Sequence, residues 1–210
     1  MVTQAGTVPV GPLRRVPVQG RSLARVNRML DACAELVDEV GYDGLTTTML
    51  AERAGVAIGS VYQFFPDKRA IVQQLTLRNV ETYVQRLRQR IANGDLAQWW
   101  DAVDAAIDEY IDMHRTVPGF RTLHFGDVVD RHLLDDEREN DTVIAEQLSR
   151  VLVTGFGLAD EPKLSFSLTI AVEMSDGLIK LAFRRHPDGD ETVLAECKDI
   201  IRDYLYRKVN

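Results

Sequence analysis

The sequence predicts an all-α protein of about nine helices, three of them in an N-terminal group with helix-turn-helix proportions and the rest in a C-terminal helical domain. Three observations carry this. Apolar residues recur at three- and four-residue intervals through every long segment. No window shows sustained alternation of apolar and polar residues, so strands are not expected. Glycines and prolines punctuate the periodic segments where a helix has to stop.

Residues 1–20 hold three prolines and three glycines without helical period and read as a flexible basic arm. From Arg21, the spacing of Leu23, Val26, Leu30, Cys33 and Val37 predicts an amphipathic helix ended by Gly41, with Tyr42-Asp43-Gly44 as a loop. Thr46-Thr47-Thr48 can accept hydrogen bonds from free helix N–H groups, and Gly55 stops the short helix they open. A tight turn leads to two helical turns, Ile58 to Phe64. Pro66-Asp67 then begins another helix, with the Asp67 carboxylate at its positive end.

The C-terminal domain is expected over 67–210. One stripe runs Leu77, Val80, Val84, Leu87, Ile91 and closes at Asn93-Gly94; a second runs Leu96, Trp100, Val103, Ile107, Ile111, His114 and closes at Val117-Pro118-Gly119. Phe120 to Phe125 reads as a short helical piece, and Val128 to Val153 as a long helix. Between Glu161 and Arg185 two faces are apolar. Leu164, Leu168, Val172, Ser175 and Ile179 line one; Phe166, Ile170, Met174, Gly177 and Leu181 line the other. The final helix, through Val193, Cys197, Ile200 and Tyr204, does not cover both, so a homodimer interface is expected, with Leu168, Val172, Ile179, Leu181, Ile201 and Tyr204 as its candidates.

Hydrophobic residues make up 45% and charged residues 27% of the chain, too apolar for general disorder. No apolar run reaches the roughly 18 residues of a membrane span, and the N-terminus has no secretory pattern, so a cytoplasmic protein without a membrane partner is expected. Cys33 and Cys197, the only cysteines, each sit in an apolar helical pattern and read as reduced, buried thiols. The net charge of −7 is unevenly distributed. Residues 1–30 carry five arginines and no acid, and residues 1–70 eight basic and seven acidic side chains; the remainder carries seventeen and twenty-five. One end can approach a polyanion that the rest of the chain would repel.

The stretch most loaded with chemistry is Gly55-Val56-Ala57-Ile58-Gly59-Ser60-Val61-Tyr62-Gln63-Phe64-Phe65-Pro66-Asp67-Lys68. Val61, Phe64 and Phe65 can face a core. Outward, Gln63 can hydrogen-bond a base edge, Ile58 can touch a thymine methyl, and Ser60 and Tyr62 can reach phosphates. Gly59 lets a helix backbone sit close to a groove wall, and Lys68 stands where an ammonium and free N–H groups can hold a phosphate. The run Gly41-Tyr42-Asp43-Gly44-Leu45-Thr46-Thr47, then Leu50-Ala51-Glu52-Arg53-Ala54-Gly55-Val56, Gly59-Ser60-Val61-Tyr62-Gln63-Phe64-Phe65 and Asp67-Lys68-Arg69-Ala70, closely resembles the TetR family of transcriptional repressors over about Arg21 to Val72.

The resemblance implies a DNA-binding domain over 21–66, in which Thr46, Thr47, Tyr62 and Lys68 contact phosphates while Thr48, Ile58, Gly59, Ser60 and Gln63 face the groove. It implies a palindromic operator bound as a homodimer, and a C-terminal domain whose small-molecule effector shifts the spacing of the two reading heads. Three positions depart from the family pattern. Ala57 stands where a capping residue is common, and Ile58 and Thr48 stand where long polar side chains often read bases.

Candidate ligand contacts are Tyr83, Trp99, Trp100, Val103, Tyr110, Met113, Phe120, His124, Phe125, Phe166, Ile170, Glu173 and Met174. The adjacent tryptophans cannot share a helix face; Trp100 fits the stripe and Trp99 does not. His124, Asp127, Asp130 and His132 lack metal-site spacing, and Asp101, Asp104, Asp108 and Asp112 read as a solvated helical row. No metal, cofactor, phosphate loop or nucleophile motif is expected, and hence no enzyme. The alternative is a helical-bundle small-molecule-binding protein or enzyme without DNA binding, which has no need of outward Ser60, Tyr62 and Gln63.

Overall fold

A computed structural model of the chain describes residues 20–123 and 140–209, and among these every regular element is a helix. The helices are α1 (Gly20–Gly44), α2 (Thr47–Ala54), α3 (Ile58–Phe64), α4 (Lys68–Asn93), α5 (Trp99–Thr116), α6 (Asn140–Phe156), α7 (Pro162–Arg185) and α8 (Glu191–Val209). The expected arm, His124, Phe125, Asp127, Asp130, His132 and the beginning of the helix expected from Val128 lie outside the described residues.

Two compact units divide the chain. The described residues up to Glu81, with those following Val117, form one; Thr82–Thr116 and the described residues after Asp136 form the other. The division therefore falls inside α4 and not at residue 66, because the first turns of α4 bury Ala70, Ile71, Val72 and Leu75 in the same core as α1–α3.

In this first unit, Val26, Leu30, Cys33 and Val37 of α1 are almost wholly buried against Leu50 and Ala51 of α2 and Val61 and Phe64 of α3. Gly41 breaks α1 at φ 69°, ψ 173°, a conformation L side chains rarely adopt, and a further helical turn follows where the sequence suggests a loop. Residues 118–122 form turns and not the short helix expected from Phe120. They dock on α1: Asp38 accepts from the Gly119 N–H (2.7 Å) and from Thr122 Oγ1 (2.9 Å), and Leu123 enters the core. A Cβ at Gly119 would lie 2.9 Å from Ala34 Cα, so only glycine permits this approach.

In the second unit α7 packs against α6 and α8, and α5 against α6 and α8. Helix α5 starts at Trp99, three residues later than Leu96, because Asp101 Oδ2 accepts from the backbone of Ala97 and Gln98, each at 2.8 Å, and caps the end there. The expected solvated row on α5 is instead a set of bonded carboxylates. Asp104 pairs with Arg202 (2.6 Å), Asp108 with Lys198 (2.5 Å) and Asp112 with Arg90, joining α5 to α8 and α4. Glu109, almost fully buried, is held by Arg90 at 2.9 Å, and Arg86 stands 3.7 Å away. No described helix is long and apolar enough to cross a membrane.

Candidate nucleic-acid interface

Helix α2 starts and stops by local chemistry. Thr46, extended at φ −126°, ψ 153°, accepts the Met49 N–H on Oγ1 at 3.2 Å, a cap of the kind that contributes about 1 kcal/mol. Gly55 takes the left-handed conformation, and the Val56 N–H returns to the Ala51 carbonyl at 3.0 Å, satisfying a carbonyl the helix end leaves free. Arg53 donates to both oxygens of Glu39 (2.8 and 2.7 Å) and to Glu35 (3.1 Å), tying α2 to α1. That hydrogen bond holds the Glu39 carboxyl below its ordinary range.

Helix α3 spans the seven residues the sequence indicates, and Ala57 gives it no side-chain cap. Its start rests on backbone alone, with Ser60 N–H donating to the Ala57 carbonyl at 2.8 Å. Val61, Phe64 and the following Phe65 are buried to within 3% and fasten the helix to the core. Burying one such side chain contributes about 1.5–3 kcal/mol, which offsets the weak cap and the helix-weakening Gly59.

What remains outside is an outward face of mixed character. Ile58 is 43% and Tyr62 45% exposed; Gly59 and Gln63 are exposed too, and Ser60 is half-buried. On α2, Thr48 is exposed and Thr47 half-buried. Thr47 Oγ1 and the Tyr62 hydroxyl lie 3.0 Å apart, so two of the phosphate candidates are hydrogen-bonded to each other across the turn. At Gly59 an added Cβ would meet nothing within 4 Å among the described residues, so their packing does not demand a glycine there.

Lys68, the first residue of α4, is less free than the sequence suggests. Its ammonium donates to the carbonyls of Tyr42 (3.1 Å) and Asp43 (3.3 Å) and lies 4.7 Å above the Tyr42 ring, leaving one N–H direction open. The first turn of α4 is capped by Asp67, whose Oδ1 accepts the Ala70 N–H at 2.8 Å. These long-range anchors carry no sequence signal. Arg25 and Arg28, on the acid-free part of α1, are exposed.

Most of the ligand candidates among the described residues lie in the cores of the two units. Phe120 is buried in the first unit; Tyr83, Val103, Tyr110 and Met113 are core residues of the second. The Tyr83 hydroxyl is bonded to the Ala106 carbonyl (3.0 Å) and the Tyr110 hydroxyl to Asp176 (2.7 Å). Burial pushes the Tyr83 phenol well above its usual range. Trp99 and Trp100 are both half-buried and meet edge to face, so neither is the odd one. Phe166, 68% exposed, and Glu173 stand in solvent, with Ile170 and Met174 half-buried beside them. None of these residues lines the clefts around Asp108 and Lys198, around Arg86 and Asn93, or around Leu87 and Val151, all formed by described residues.

Three of the interface candidates are likewise core. Leu168, Ile179 and Ile201 are at most 1% exposed in the single chain, so they have no surface to offer a partner. Val172 and Tyr204 are half-buried and Leu181 is 37% exposed. The outward apolar side chains are Phe166, Leu181 and Tyr206, the last of which the stripe through Val193, Cys197, Ile200 and Tyr204 passes over. Among the described residues no group of three His, Cys, Asp or Glu is placed to hold a metal.

Two family models match the chain: bacterial regulatory proteins of the tetR family over residues 29–75, and the tetracyclin repressor-like C-terminal domain over residues 97–209. The tetracycline repressor protein class A from transposon 1721 of Escherichia coli is 47% identical over 49 residues, 23% of this chain and 23% of that repressor. The HTH-type transcriptional regulator BetI of Escherichia coli is 31% identical over 78 residues, 37% of this chain and 38% of that one. The chain thus matches well under half the length of these curated relatives. A crystal structure of a TetR-family transcriptional regulator from Streptomyces coelicolor is 41% identical and superposes with a TM-score of 0.76, covering 88% of this chain and 99% of that one.

Proposed function

The chain belongs to the TetR family of bacterial regulatory proteins, and from that premise we propose a cytoplasmic transcriptional repressor, not an enzyme. It binds a palindromic DNA operator as a homodimer through α3 and is released when a small molecule occupies the C-terminal unit. The observation that carries this is the outward face of α3. Ile58, Gly59, Tyr62 and Gln63 stand exposed on a helix anchored by three buried side chains, which is how a reading helix presents itself to a major groove. Gly59, with no neighbour to accommodate, suits a backbone that must approach a groove wall closely. Thr46 and Thr47, at the start of α2, and Lys68 add phosphate contacts, Thr48 and Ser60 border the groove, and Ile58 reads a thymine methyl. For the homodimer, the support is the apolar face left outward by Phe166, Leu181 and Tyr206.

The test is selection of bound sequences from a random duplex pool, followed by two substitutions. Lys68→Gln should weaken binding to every duplex alike and lower the salt slope by about one, whereas Gln63→Ala should change preference at one base pair by about 1–3 kcal/mol. Equal losses on all sequences for both variants would overturn the assignment.

A further inference from the structure

We propose that the groove between the C-terminal half of α4 and α6 is a binding site for a small apolar monocarboxylate, with Arg88 and Arg150 holding its carboxylate. The groove encloses about 180 Å³. Its floor is apolar: Leu87 is almost wholly buried, and Val84, Ile91 and Val151 are half-buried around it. These residues recur at helical spacing on each helix, so the floor is two facing stripes that do not fully close on each other.

The charge at the rim decides the ligand. Arg88 and Arg150 both line the groove, and among the described residues no acid does. Arg88 is aligned by a 2.6 Å bond to Gln147 Oε1, a neutral acceptor, and among the described residues neither Arg88 nor Arg150 makes an ion pair. The second cleft of this unit, between α5 and α8, is the instructive contrast. There Arg90, Arg115 and Lys198 line the wall, but each is bonded to Asp112, Glu191 or Asp108, which line the same cleft. One cleft is electrically closed; the other presents two guanidinium groups above an apolar floor in a chain of net charge −7. A guanidinium fork suits a carboxylate, and the apolar floor suits a short acyl or aryl body. The volume, below the roughly 300–1,000 Å³ of drug-sized pockets, limits that body to a small one.

The inference rests on the reading of the C-terminal unit as effector-responsive, and it can fail separately. The full chain is titrated by calorimetry with octanoate, octanol and octylamine, which share a body and differ in charge. Octanoate should saturate, with the other two at least about tenfold weaker, and added salt should weaken octanoate alone. Arg150→Gln should weaken octanoate by about tenfold, the Arg88→Gln, Arg150→Gln double variant by more, and Val151→Trp should block all three by filling the floor. Saturation by octanol or octylamine as tight as by octanoate, no saturation by octanoate, or an unchanged affinity in the double variant would each overturn the proposal. Circular dichroism on every variant confirms folding, and retention of the selected duplex is measured in parallel. Duplex binding without octanoate binding removes the groove and leaves the repressor reading. Octanoate binding by a chain that retains no duplex removes the repressor reading.

Discussion

On α3 and its C-terminal cap, the inward side chains are apolar and the outward ones mixed: the cap residue Phe65 is fully buried while Tyr62, three residues earlier, is 45% exposed. On α7 the inward side chains are also mostly apolar, but large apolar side chains stand outward as well, Phe166 at 68% and Leu181 at 37% exposed beside the charged Glu173, while Ile179, two residues before Leu181, is fully buried. The first arrangement offers hydrogen-bonding groups on a rigid support, which suits a polar, charged partner. The second offers surface that water disfavours, which suits another copy of itself. The same helix chemistry serves both, and only the composition of the outer face separates them.

Substitutions at four of these positions separate the two cases. Phe65→Ala should destabilise the first unit by about 3–5 kcal/mol in urea unfolding, whereas Tyr62→Ala should cost less than about 1 kcal/mol; equal costs would mean α3 is not oriented as described. On α7, Leu181→Glu should leave the fold intact and raise the dimer dissociation constant by about a hundredfold, read by sedimentation velocity, while Ile179→Glu should unfold the unit outright. A Leu181→Glu chain that sediments as before would place the interface elsewhere.

Finer tests address what holds each region in place. Thr46→Ala, which removes the α2 cap, should cost about 1 kcal/mol, and Ala57→Ser should return a similar amount by giving α3 the cap it lacks, both seen as shifts in urea midpoint. The smallest expected effect is on pH. Burial pushes the Cys33 thiol up to about 12, from 9.0. Because the folded value is the higher one, the thiol's contribution is complete below pH 9 and is lost as pH climbs toward 12. It should fall by roughly 0.8 kcal/mol by pH 9.5, with that part of the slope absent in Cys33→Ala. Cys197, pushed up to about 11 by burial, should behave likewise over a narrower window.

What the sequence revealed follows range of interaction. The Gly41 break, the Thr46 cap, the Gly55 stop and the limits of α3 all depend on partners within about four residues, and each was legible. Arg53 with Glu39, Lys68 with Tyr42 and Asp38 with Gly119 are separated by 14, 26 and 81 residues, and nothing in a linear pattern couples them. The ligand candidates illustrate the same limit. Aromatic residues at helical spacing mark the apolar interior equally well, and Tyr83, Tyr110 and Met113 turn out to belong to it. Leu168 and Ile179 read as interface residues because they are apolar, although the side that meets solvent carries Phe166 and Leu181.

The docking of residues 119–123 on α1 also bears on how the molecule is made. Asp38 has both oxygens committed to Gly119 and Thr122, and Leu123 completes the apolar cluster around Val37 and Leu75. The first unit is therefore discontinuous, interrupted by Thr82–Thr116. During synthesis, α1, α2 and α3 leave the ribosome first, yet their core lacks Leu123 and the Asp38 contacts until residue 123 has emerged. A chain cut after α4 would carry every side chain of the proposed reading surface and still lack part of the core beneath it. The proposed reading surface is encoded first and its support is completed late.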